Sequence, residues 1–119
     1  MSEATTIYLI AYLRLFAVTQ VVEMPIYWFA LAERPAWQRL LIGFGASAIT
    51  HPIFVILLHP HLMALGPTGA LLVGETLVVA VEGLWLRWFE VESPWLWALT
   101  ANAASVAVGM TIGAMLRGL

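Results

Sequence analysis

The chain has no lysine, no aspartate and no cysteine among its 119 residues. Without cysteine there is no disulfide, no thiolate nucleophile and no cysteine metal site. Without lysine there is no Schiff-base amine and no phosphate-loop lysine. Without aspartate the paired-aspartate Mg²⁺ sites are excluded. Charge of any kind is scarce, at 10% of residues with a net charge of -2 and no basic tract. Nucleic acid is therefore not an expected partner. No His-Glu-x-x-His or Gly-x-Ser-x-Gly pattern occurs either, which leaves an enzyme the least favoured class.

Hydrocarbon is what the chain has in excess. It is 62% hydrophobic, and its mean hydropathy is +0.93, far outside the range of soluble domains. Four apolar runs cover nearly all of it: Thr6 to Leu31, Trp37 to Leu58, Gly69 to Phe89 and Trp95 to Leu116. Each holds at least about 20 residues, enough to cross roughly 30 Å of hydrocarbon as a helix. The breaks between them are short: Glu33-Arg34-Pro35, His59-Pro60-His61 through Gly66-Pro67, and Glu90 to Pro94. Short connections force neighbouring helices to run in opposite directions. The expected fold is an all-α integral membrane protein, one antiparallel up-down bundle of four transmembrane helices over residues 1–119. Ala30-Leu31-Ala32 looks like a signal-cleavage site. The acidic Glu3, the long run and the polar Arg14, Gln20 and Glu23 within it point to an uncleaved span.

Six tryptophans, Trp28, Trp37, Trp85, Trp88, Trp95 and Trp97, gather near the first and last connections, as an aromatic belt would. Arg34, Arg39 and Arg87 lie at the same end, against Arg117 at the other. The positive-inside rule then puts those connections in the cytoplasm and both termini outside. Four spans without a cleaved signal or a soluble domain fit a bacterial inner membrane, with an organellar membrane as the alternative.

Ionisable residues inside apolar runs are costly, at about 2.5 kcal/mol or more each, and usually face the bundle interior. Counting depth along each run by about 1.5 Å per residue sorts them into two layers. The inner layer is Glu23, Glu82 and Asn102, with Ser105 a turn away; the outer is Arg14, His51 and Glu75, with Thr50 beside them. Glu75 and Glu82 are seven residues apart, hence on one helix face. In the outer layer Arg14 and His51 are expected to neutralise Glu75. The inner layer has no cation, so one or both of its carboxyls is expected to hold a proton. Pro25 and Pro52 free the carbonyls of Val21 and Ala48 and should kink their helices beside Glu23 and His51.

The fourth run carries small residues every fourth position, Ala101, Ser105, Gly109 and Gly113, a stripe on which another helix can pack closely. Gly43 and Ser47 form a shorter version in the second run. His59 and His61 lack a third ligand, so no metal site and no cofactor is expected. The Glu75-x6-Glu82 pair followed by Asn102-x2-Ser105 resembles small uncharacterised bacterial inner-membrane proteins over the second half of the chain, which implies no activity. Three function classes follow. First is a structural or accessory subunit, whose expected partners are the bilayer and a second copy or a larger membrane complex. Next is a proton- or cation-coupled transporter built as an oligomer. Last is an intramembrane metal- or carboxylate-dependent enzyme.

Overall fold

Helix formation starts at Ser2, whose hydroxyl accepts from the Thr5 amide at 3.1 Å and caps the first turn, with Glu3 complementing the exposed amides. The computed structural model describes residues 2–118, the side chains of Tyr8 and His59 apart. Helix α1 covers Glu3–Ala30 and runs through Pro25 unbroken. Helix α2 covers Ala36–Pro52 and passes into a π-helical segment, Ile53–Leu58. A single turn α3, His59–Leu62, and a 3-10 turn, Met63–Leu65, lead into α4, Gly66–Trp88. Helix α5 covers Pro94–Gly118. Four of these helical stretches are long and apolar enough to cross a membrane.

The middle break differs from expectation. Residues 59–68 are helical almost throughout, with the reversal concentrated at Gly66, whose φ of 79° glycine tolerates without a Cβ penalty. Pro67 lies at the start of α4, where a missing N–H costs no intrahelical bond. Pro52 is followed by π-helix, in which bonds reach one residue further than in an α-helix. The wider coil takes up the geometry that proline disturbs.

Helix α1 packs on α2 and α5, and α4 packs on α5 and α2, closing a ring. The apolar core is concentrated toward the α1–α2 and α4–α5 connections: Tyr27, Leu31, Ile42, Ala46, Leu86, Val91, Ala98 and Ala101. Large apolar side chains such as Val21, Phe29, Leu41, Trp88 and Met110 cover the outside.

Arginines fasten that end. Arg39 Nε donates to the Leu31 carbonyl at 3.0 Å, at the C-cap of α1, and its guanidinium lies 4.4 Å from the centroid of the Trp28 ring. Arg34 donates to the Phe89 carbonyl, at the C-cap of α4, and to Gln38 Oε1 at 3.1 Å. Each cation thus meets the negative end of a helix dipole. Two tryptophans also do more than mark an interface. Trp85 Nε1 donates to the Ile42 carbonyl at 3.0 Å, and Trp95 lies against Gly83. Arg34→Ala and Arg39→Ala should each lower the stability of the detergent-solubilised protein by about 1 kcal/mol. Chemical denaturation read by tryptophan fluorescence checks this; no shift in either midpoint would mean that the caps hold nothing.

Candidate functional site

Each long helix buries a stripe at four-residue spacing, and polar residues occupy the same level of all four stripes. On α1 the stripe is Thr19, Glu23 and Tyr27. On α2 it includes Ile42, Ala46 and Thr50 with the neighbouring Ser47. On α4 it is Ala70, Gly74, Val78, Glu82 and Leu86. On α5 it is Ala98, Ala101 and Asn102, with Ser105 next along the same face.

Two carboxyl groups join these stripes. Glu23, 1% exposed, accepts from Ser47 Oγ on α2 at 2.9 Å and from Ser105 Oγ on α5 at 2.8 Å. Glu82, 0% exposed, accepts from Tyr27 Oη on α1 at 2.8 Å, from Thr50 Oγ1 on α2 at 3.1 Å and from Asn102 Nδ2 on α5. Every interhelical donor is neutral. The second amide hydrogen of Asn102 goes to the Ala98 carbonyl at 2.8 Å. Thr50 and Ser105 each have an alternative acceptor, the Ala46 carbonyl at 3.1 Å and the Asn102 carbonyl at 3.1 Å. Either carboxyl can therefore carry a proton and donate it to that hydroxyl, which passes its own hydrogen on to the backbone.

The structure brings Glu23, Glu82, Asn102 and Ser105 into this one network. It adds Tyr27, Ser47 and Thr50. Tyr27 is four residues from Glu23 on the same face, a spacing visible in the sequence. Thr50, grouped by depth with the outer residues, meets Glu82 instead, because it continues the buried stripe of Ile42 and Ala46, while its neighbour His51 points about 100° away around the helix.

The outer trio does not form a cluster. Arg14 is exposed, and among the described residues no ion pair joins it to Glu75. Arg14 precedes Glu23 by nine residues, about half a turn out of phase with the buried stripe. Helix α1 is 28 residues long, about 42 Å by its rise, so its long side chain can reach toward the nearer polar surface. His51 stacks edge-on against Phe16, with 5.6 Å between ring centroids. Its Nδ1, Glu75 Oε2 and both side-chain polar atoms of Gln20 are buried without a hydrogen-bond partner among the described residues.

His51 and Glu75 face a shared cavity of about 550 Å³ between α1, α2, α4 and α5. Thr19, Asn102 and Ser105 also line it, so two donors of the network form part of its wall, and Arg117 lies along the same wall. The small-residue stripe enters here too. Ala101 is fully buried, but Gly109 and Gly113 line the cavity, and a Cβ on Gly109 would meet nothing within 4 Å. Beyond Ser105 the stripe borders open space instead of a packed helix. Among the described residues no three His, Cys, Asp or Glu side chains are placed to hold a metal ion.

No protein-family model matches the chain, and no solved structure matches it. Over 93 residues it is 34% identical to an uncharacterized protein of Synechococcus elongatus. The matched stretch covers 75% of this chain and 45% of that relative, so this chain spans about half of its length. The likeness carries no activity with it.

Proposed function

We propose that the chain is a membrane-embedded structural or accessory subunit whose deep polar layer fixes the mutual register of its helices. One observation carries this reading: five neutral donors from three helices converge on Glu23 and Glu82, so that all four long helices are cross-linked at one level. Interhelical bonds of this kind are worth only about 0.6 to 2 kcal/mol each in a bilayer, but they select which faces meet. The bundle is read as up-down and antiparallel. In support, Arg39 reaches Leu31 while Ser47 reaches Glu23, so α2 retraces α1. Membrane insertion is supported by the four apolar helices and their apolar exterior. The reading of both termini outside is supported by Arg34, Arg39 and Arg87 at one end against Arg117 at the other.

On this reading, wild-type protein in liposomes passes neither protons nor alkali cations at any pH the vesicles tolerate. Glu23→Gln should keep the thermal midpoint close to wild type, since an amide can still accept from one serine and donate to the other. A proton or cation flux that Glu23→Gln abolishes would overturn the structural reading. It would favour the second one, transport, which the cavity alongside the network supports.

A further inference from the structure

The central cavity and the seam between α4 and α5 share a wall. Leu71, Glu75, Asn102, Val106 and Met110 line both the cavity and a groove of about 520 Å³ along the outer side of the seam. Glu75 is the one ionisable residue in that shared wall. Its position is chemically incomplete. Oε2 is buried and accepts no hydrogen bond among the described residues, and Asn102, the polar neighbour in the wall, directs its amide hydrogens to Ala98 and Glu82. Arg117 turns its guanidinium toward Gly113, and no ion pair joins it to Glu75 among the described residues. A carboxyl oxygen buried among apolar side chains without a donor is completed by a proton or by a cation brought to it.

The rest of the wall limits what that cation is. A hard metal ion takes six or more oxygen ligands, or an octahedral shell of waters, and the wall offers one carboxyl. A weakly hydrated organic cation needs one opposite charge and brings apolar surface of its own. Leu71, Val106 and Met110 supply the matching surface. The volume lies within the roughly 300–1,000 Å³ of small-molecule sites. The groove is flanked by the exposed Leu72 and Leu99, so an amphipathic ligand dissolved in hydrocarbon meets Glu75 without passing Arg117.

We propose that the wall shared by the cavity and the α4–α5 seam binds an amphipathic organic cation, a quaternary ammonium or phosphonium with apolar arms, with Glu75 as counter-ion. The route of entry rests on the membrane placement of the bundle; the site itself does not rest on the accessory role.

The test uses the full chain in a non-ionic detergent, with tetraphenylphosphonium as probe and equilibrium dialysis as readout. Wild type should bind it saturably at one site per chain. Tetraphenylborate, an anion of the same shape, should not bind saturably. Glu75→Gln should weaken phosphonium binding by about tenfold or more, because it removes the one counter-charge. Gly109→Leu should weaken it as well, since a Cβ there meets nothing within 4 Å and the added side chain takes up cavity volume. Circular dichroism should show wild-type helicity for both variants. The proposal fails if wild type shows no saturable phosphonium binding, if the borate binds equally well, or if a folded Glu75→Gln binds the phosphonium as wild type does. Should Glu75→Gln not fold, Gly109→Leu and the borate control still decide. Failure here leaves the register role standing, because that role is read from thermal midpoints and flux.

Discussion

Glu82→Ala should lower the thermal midpoint of the detergent-solubilised protein more than any other single polar truncation in the bundle. Glu82 is fully buried and accepts hydrogen bonds from three helices. Its removal leaves the Tyr27 hydroxyl, itself 0% exposed, and one Asn102 amide hydrogen without acceptors at the most enclosed level of the structure. Summing three interhelical bonds with the cost of stranded donors gives about 3 kcal/mol. Glu82→Gln should cost far less. Its amide oxygen can accept from Tyr27 and Asn102, while its NH₂ donates to Thr50 Oγ1, whose own hydrogen then goes to the Ala46 carbonyl, 3.1 Å away. Differential scanning measurements on the two variants separate the outcomes. Equal midpoints for Glu82→Ala and Glu82→Gln would show that the three bonds do not hold the helices together.

Gly83→Ala should be comparably damaging, although alanine is the better helix former by about 1 kcal/mol. A methyl group on Gly83 would overlap the six-membered ring of Trp95, which lies flush against the α4 backbone. The Trp95 ring is not the free end of a flexible chain; its residue is the second of α5, within the first turn. Either α5 moves away from α4 or the ring leaves its seat, and overpacking of this kind costs about 1–3 kcal/mol net of what relaxes. Trp95→Leu should therefore rescue Gly83→Ala, and the double variant should be more stable than Gly83→Ala alone. If Gly83→Ala melts at or above the wild-type midpoint, α4 and α5 are not held at the distance described.

Some of this could be read from the sequence for plain reasons. Run length and punctuation reveal the long helices because hydrocarbon thickness sets a minimum that few other constraints produce. Depth along a run puts Glu23, Glu82 and Asn102 in one layer with Ser105 a turn away, and Asn102 does bond Glu82 while Ser105 bonds Glu23. Facing was the missing coordinate. Arg14 has the same depth as Glu75 but lies half a turn from the buried stripe of α1, and only a helical wheel referenced to Glu23 and Tyr27 exposes that. Thr50 and His51 are adjacent in sequence, yet one meets Glu82 and the other faces the cavity. The cavity itself was not legible. It exists because Gly109 and Gly113 place no side chain where α5 passes the other helices, and a small-residue stripe reads equally well as a packed seam. The π-helical run after Pro52 was hidden for a similar reason, since proline announces a disturbance and not the form it takes.

That run determines where this chain can change length. A segment that already coils more loosely than its neighbours can lose one residue by tightening into an ordinary helix. The single turn at His59–Leu62 and the 3-10 turn at Met63–Leu65 then take up the rotation before α4 begins. The same deletion between Gly74 and Gly83 would turn Glu82 by about 100° away from Tyr27, Thr50 and Asn102. Sequence drift in lineages descended from this protein should accordingly collect its one-residue gaps within 53–58 and leave the spacing from Gly74 to Gly83 untouched.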